Sequence, residues 1–246
     1  MEVNFVLVAK RIFLLIPILQ FIVIILDSVY VTIRCKKEGK TNGELHTFIK
    51  MLFSFSMIIV AFVFWETNNN ENLKTYLMFI FLGMTFSAIG DMAMAKLIKS
   101  KDRLMLGMTF FSLAHILYIL SYIEITKIFQ YEFGGLILIF IIGYIVILGV
   151  WKKFVYNNTR TKKFNFISLI YSILISTMMF LSLNLAIESK GEFIILTIGA
   201  TIFMISDFII SLSEIKEIGL KNQSIWVWIT YVIAQICIVY NYLLVL

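Results

Sequence analysis

Of the 15 acidic residues in this 246-residue chain, three aspartates, Asp27, Asp91 and Asp207, stand well inside long apolar runs. Asp91 sits in "TFSAIGDMAM" (85–94) and Asp207 in "TIFMISD" (201–207), and each has helical-spaced companions. Ser87 and Asp91 are four apart, as are Phe203 and Asp207, and Tyr231 and Gln235; such pairs share a helix face. Ser112, His115 and Tyr118 follow one another in steps of three, Ser206 adjoins Asp207, and Lys50 and Tyr171 occupy further apolar runs. Two carboxyls in different surroundings hold different protonation states at one pH, so one can give a proton while the other takes one. Phenols, an imidazole, an amide and an ammonium beside them would position a substrate and water for that transfer.

Each residue also has an ordinary structural role open to it. A single aspartate in a span often joins two helices by hydrogen bonds, and a histidine among aromatics is usually a satisfied core residue. Lys50 near a helix end can snorkel to the interface. Asp27 has only Ser28 and Tyr30 as polar neighbours and is read as structural. Gly90, Gly107 and Gly199 are read as close-packing positions, and the 23 phenylalanines as core and lipid-facing surface.

The elements that must hold these side chains are membrane helices. The chain is 61% hydrophobic and 15% charged, against about 25% charged in an ordinary soluble domain. Its mean hydropathy is +0.95. Runs of about 20 apolar residues, enough to cross the hydrocarbon as a helix, recur throughout. They predict eight spans near 12–34, 47–65, 76–98, 104–123, 134–151, 165–187, 193–213 and 225–246, with polar clusters such as "TNNNENLK" (67–74) and "NNTRTKK" (157–163) between them. The expected fold class is therefore all-α, a polytopic membrane bundle forming one domain over 1–246. The first run follows Lys10 and Arg11, lacks a small-residue cleavage site and is long enough to span, so no cleavable signal peptide is expected.

Sixteen of the 21 lysines and arginines fall on the side holding the loops after spans one, three, five and seven. The positive-inside rule then predicts both termini outside and those loops in the cytoplasm. Read that way, the net charge of +6 orients the chain, and no nucleic-acid partner is expected. With those span ends, Asp27, Asp91 and Asp207 each lie five to seven residues from the cytoplasmic end, near 10 Å deep at about 1.5 Å per residue. A carboxylate at a span's centre costs about 2.5–3.5 kcal/mol to insert, so such groups face a bundle interior or a wet cavity. The predicted geometry is a polar chamber on the cytoplasmic side. "TFSAIGD" and "TIFMISD" resemble each other across four spans, the pattern of a parallel four-plus-four repeat.

Several chemistries lack their residues. With two histidines and two cysteines, Cys35 and Cys237, and no ligand-spaced cluster, no metal is expected. There is no Gly-x-Ser-x-Gly elbow and no phosphate-cradling glycine loop. No disulfide framework is expected either.

"FSAIGDMAM" (86–94), "GMTFFSLAHILYILSY" (107–122), "GATIFMISDFIISL" (199–212) and "TYVIAQ" (230–235) together resemble the YhhN-like lysoplasmalogenase family, in order and at matching spacing from about residue 47 onward. The family's Lys-Pro-Leu on the second helix is matched by Lys50-Met51-Leu52, which keeps the lysine and loses the proline. The resemblance implies hydrolysis of the vinyl ether bond of a lysoplasmalogen, giving a fatty aldehyde and a glycerophospho-ethanolamine or -choline, without metal or cofactor. On that reading Asp91 and Asp207 are the acid/base pair, with neither role assigned. Lys50, Ser87, Ser112, His115, Tyr118, Tyr171, Ser206, Tyr231 and Gln235 hold substrate and water. The partners are a lysophospholipid substrate and the lipids of a membrane, expected to be a bacterial plasma membrane. Two other classes fit the same residues: a lipid or proton-coupled transporter, and a lipid-binding bundle without turnover.

Overall fold

A computed structural model of the chain describes residues 2–40, 42–132 and 136–245. Among these residues the fold is all-helical, with α1 (Glu2–Lys37), α2 (Thr47–Glu66), α3 (Glu71–Met94), α4 (Arg103–Ile128), α5 (Ile137–Phe154), α6 (Lys162–Glu188), α7 (Ile194–Glu214) and α8 (Gln223–Val245). All eight are long and apolar enough to cross a membrane. Side chains such as Leu19, Phe48, Leu138 and Phe166 point outward, as lipid-facing surface requires.

The helix ends differ from the expected spans where polar side chains cap or extend a helix. Asn70 accepts a hydrogen bond from the Asn72 amide at 3.1 Å, so α3 begins at Glu71, inside the polar cluster expected to be a connection. Asp102 accepts from Leu104 and Met105, and Thr161 from Phe164, which starts α4 and α6. At its far end α4 runs on to Ile128, where Glu124 and Lys127 pair at 2.7 Å one turn apart. The end of α3 moves the other way. Lys96 takes a left-handed conformation (φ 62°) and the Leu97 amide returns to the Met92 carbonyl at 2.9 Å, stopping the helix at Met94. Asp91 therefore lies one turn from its helix end, closer than the expected span placed it.

α3 packs against α4 and α7 against α8, and α2, α4, α6 and α8 complete the wall around them. Small residues set the closeness. A Cβ on Gly90 would lie 2.9 Å from the Phe111 ring, one on Gly107 would lie 2.8 Å from the Met94 sulfur, and one on Gly199 would lie 2.6 Å from Cys237 Cβ. All three glycines are thus close-packing positions, as the sequence predicts. Tyr76, Tyr118, Tyr122, Phe164, Phe193 and Phe203 fill the centre. α5 lies at the periphery and buries none of its residues, leaning on α6 through a Phe140–Phe180 stack and a Tyr144–Thr177 hydrogen bond of 2.7 Å.

Asp27 serves the scaffold. Its carboxyl accepts the His46 backbone N–H at 2.9 Å and meets His46 Nδ1 at 2.5 Å. α1 thereby holds the residue that opens α2. Cys35 and Cys237 are both free thiols.

Candidate active site

Asp91 and Asp207 line one cavity of about 180 Å³. α2 contributes Lys50 to its wall, α4 contributes Phe111, and α8 contributes Trp228 and Tyr231. Its rim carries Glu44, Lys96, Arg103 and Glu214. Arg103 bridges Glu214 at 2.8 Å and donates to the Met94 carbonyl at 3.3 Å, tying the start of α4 to the ends of α7 and α3. Lys50 is buried, with its ammonium 5.4 Å from the Trp228 ring centre.

An apolar cleft of about 100 Å³ adjoins this cavity, walled by Met108, Val150, Trp151, Ile175, Met204 and Phe208 among others. Met94, Phe111, Asp207 and Ile210 line both spaces, so Asp207 borders the polar cavity and the apolar cleft alike. Asp91 faces the polar cavity alone.

The two carboxyls are held by different partners. Asp91 Oδ2 accepts Ser54 Oγ at 2.6 Å and the Tyr231 hydroxyl at 2.7 Å. Behind Tyr231 a chain of hydrogen bonds continues. Ser87 Oγ lies 3.1 Å from the Tyr231 hydroxyl, Gln235 Nε2 donates to Ser87 at 2.7 Å, and Tyr118 donates to Gln235 Oε1 at 3.1 Å. Since Tyr231 spends its proton on Asp91, Ser87 must donate to Tyr231, and every link points toward Asp91. Asp207 Oδ2 accepts one hydroxyl, that of Tyr171, and His115 Nε2 backs the same phenol at 3.2 Å. Phe203 packs on the His115 ring (4.9 Å between centres) and on Tyr231 (5.5 Å), separating the two sets. Among the described residues, Oδ1 of each aspartate makes no hydrogen bond within the protein and is available to the cavity.

Most of the residues singled out in the sequence meet here. Lys50, Ser206 and Tyr231 line the polar cavity, Tyr171 lines the cleft, and Ser87, His115, Tyr118 and Gln235 form the buried layer behind them. Ser206 also donates to the Val227 carbonyl at 3.0 Å, joining α7 to α8. Ser112 stands apart, half-buried and lining neither space. Steps of three on a helix of 3.6 residues per turn drift by about 60° each, so Ser112 and Tyr118 face about 120° apart. Ser54, Trp228, Arg103 and Glu214 belong to the site and escaped the reading as site residues. Ser54 stands four residues after Lys50 on the same face, a signal the sequence did offer. The Arg103–Glu214 bridge joins residues 111 apart in sequence and had none.

Eight membrane-length helices, among the described residues, make this an integral membrane protein, and two of its intramembrane aspartates face a polar cavity beside an apolar cleft. The YhhN family model matches residues 45–242, and the chain belongs to that family. Comparisons with curated proteins and with solved structures returned no match.

Proposed function

We propose that the chain is a membrane hydrolase of the lysoplasmalogenase type, cleaving the vinyl ether bond of an alkenyl lysophospholipid into a fatty aldehyde and a glycerophospho-ethanolamine or -choline. The observation that carries this reading is the pair of carboxyls, from α3 and α7, lining one polar cavity, with one of them bordering an adjoining apolar cleft as well. Membership of the YhhN family supports the same activity.

The substrate fits the two spaces by chemistry. Its alkenyl chain takes the apolar cleft, and its glycerol and phosphate take the polar cavity. Lys50, buried and free of a carboxylate partner among the described residues, offers its charge to the phosphate. An acid protonates the enol-ether carbon, the resulting oxocarbenium ion is stabilised by carboxylate, and water adds. The hemiacetal then collapses to aldehyde and alcohol. Acid, base and water suffice for every step, so the reaction asks for no metal or cofactor. The polar cavity lies at the ends of α3 and α7, beside the basic loops, the side that this reading assigns to the cytoplasmic leaflet of a plasma membrane on the positive-inside rule.

Purified protein should release aldehyde from an alkenyl lysophospholipid and leave its saturated-ether analogue and an acyl lysophospholipid intact. Release of fatty acid from the acyl lipid, or no aldehyde from the alkenyl lipid, would overturn the reading. Substrate-dependent proton flux in liposomes without aldehyde would establish a carrier instead.

A further inference from the structure

We propose that the two aspartates have fixed and different roles: Asp207 is the acid that protonates carbon, and Asp91 is the base that activates water. The inference rests on the vinyl ether reading above and adds the assignment of each step to one side chain.

The chemistry of the bond requires the two groups to act at different atoms in a fixed order along the substrate. From head to tail the lipid runs glycerol, ether oxygen, the vinyl carbon bonded to oxygen, the second vinyl carbon, then the alkyl chain. The proton goes to the second carbon, the one bearing the chain, because only then can the oxygen lone pair stabilise the cation. Water adds to the carbon bonded to oxygen, one atom nearer the headgroup. The acid must therefore reach the chain side of the bond, and the base must command water on the headgroup side.

The structure separates the aspartates along that same direction. Asp207 lines both the polar cavity and the apolar cleft, and a lipid with its headgroup in the one and its chain in the other carries its vinyl group between them. Asp91 lines the polar cavity alone, the space whose polar walls suit a water. Two hydroxyls, Ser54 and Tyr231, donate to Asp91 Oδ2, the arrangement that steadies a charged carboxylate, and leave Oδ1 for water. Among the described residues Asp207 Oδ2 has one protein donor, Tyr171, which fixes the carboxyl while Oδ1 carries the transferable proton.

The cycle closes on these roles. Asp207 Oδ1–H gives its proton to the chain-bearing carbon as the C=C π pair forms the new C–H bond, and an oxygen lone pair makes the C=O⁺ bond. A water oxygen adds to the cationic carbon, and its released proton goes to the Asp91 carboxylate, leaving a neutral hemiacetal. The hemiacetal hydroxyl then returns a proton to Asp207 as C=O forms. The C–O bond to glycerol breaks, and its oxygen takes the proton held by Asp91. One water is consumed, aldehyde and alcohol leave, and each aspartate regains its starting state.

Azide distinguishes the two roles, because it attacks the cation directly and needs no base. Its nitrogen lone pair forms a C–N bond at the same carbon, giving an azidoalkyl ether with no proton to remove. With an alkenyl lysophosphatidylethanolamine, azide should speed substrate consumption by Asp91→Ala at least tenfold and yield the azido ether, while Asp207→Ala stays unresponsive. Binding of the saturated-ether analogue reports that each variant is folded. Two milder variants keep both carboxyls. Ser54→Ala, which withdraws a donor from Asp91, should gain two- to threefold from azide, and Tyr171→Phe, beside Asp207, should gain nothing. Rescue of Asp207→Ala or Tyr171→Phe, or rescue of none of the four while the wild type releases aldehyde, overturns the assignment. A wild type that binds the lipid and releases no aldehyde overturns the reaction beneath it.

Discussion

The surroundings of Asp91 and Asp207 occupy matching places in the chain and differ in kind. Their positions are 116 residues apart, and the same offset relates Gly83 to Gly199, Ser87 to Phe203, Tyr118 to Ala234, and His115 to Tyr231. Gly83 receives the Tyr118 ring and Gly199 receives the Ala234 carbonyl, so each glycine meets the counterpart of the other's neighbour. The offset is the one that the expected four-plus-four repeat of the two motifs would have. Around Asp91 the matching positions are polar: Ser87 and Tyr231 join its hydrogen-bonded chain. Around Asp207 they are aromatic, with Phe203 against His115 and an apolar cleft alongside. Unlike surroundings at two carboxyls are what a reaction needing both an acid and a base requires.

The largest effects should follow from removing either carboxylate function. Asp91→Asn and Asp207→Asn are each expected to lower aldehyde release by about 10³-fold, the middle of the range for acid–base groups. Their combination should cost little more than either alone, since the two act in one sequence. Single and double variants assayed side by side test this, and fully multiplicative losses would break the pairing.

The phenols sharpen the contrast. Tyr171 is the one protein donor to Asp207 among the described residues, while Tyr231 shares Asp91 with Ser54. Tyr171→Phe should therefore reduce turnover by about 10²-fold, since it removes the sole donor to the carboxylate that Asp207 becomes on giving up its proton, and Tyr231→Phe by about tenfold, since Ser54 still donates to the charged Asp91. Equal losses, measured as kcat/KM on one substrate, would erase the distinction between the two surroundings.

A further test compares the halves as scaffold. A Cβ at position 83 would come 2.5 Å from the Tyr118 ring, a side chain that hydrogen-bonds Gln235 and cannot swing freely. Gly83→Ala is expected to cost about 1–3 kcal/mol through overpacking. Gly199→Ala faces the Cys237 Cβ and a backbone carbonyl and should cost as much. Thermal unfolding in detergent measures both, and a neutral result at either position would mean that α3–α4 and α7–α8 are not held together in the same way.

How much of this was legible in the sequence follows from the range of the forces involved. Eight apolar runs announce eight helices because crossing hydrocarbon demands length and composition, which are local properties. The paired aspartates announce a site because an intramembrane carboxylate is too costly to keep without use. Helix ends were read less well, since one side-chain cap, such as Asn70 or Thr161, moves a boundary by several residues without changing the apolar pattern. Ser112 was drawn in by a spacing of three that drifts around the helix. That Asp207 borders both spaces and Asp91 only one depends on how α4, α5, α6 and α7 lie together, and no local pattern records it.

Asp27 supplies the smallest expected effect and the control for the rest. It too is a carboxylate inside an apolar helix, and composition alone ranks it with the other two. Its oxygens, however, hold His46, accepting the backbone N–H at 2.9 Å and meeting the ring at 2.5 Å. The Asp27 side chain is 8% exposed and that of His46 48% exposed, so the pair stands at the edge of the bundle. It lines neither space, and its work ends where α2 begins. Asp27→Ala should lower stability by about 1 kcal/mol, as loss of a helix-start acceptor does, or a few degrees in Tm for a chain of this size. Asp27→Asn keeps an acceptor for the N–H and should lose about half as much. Aldehyde release per folded molecule should stay within about twofold of wild type for both. A loss of turnover at Asp27 comparable with that at Asp91, at unchanged Tm, would mean that the third carboxylate shares in the chemistry and that two surroundings are one too few to describe it.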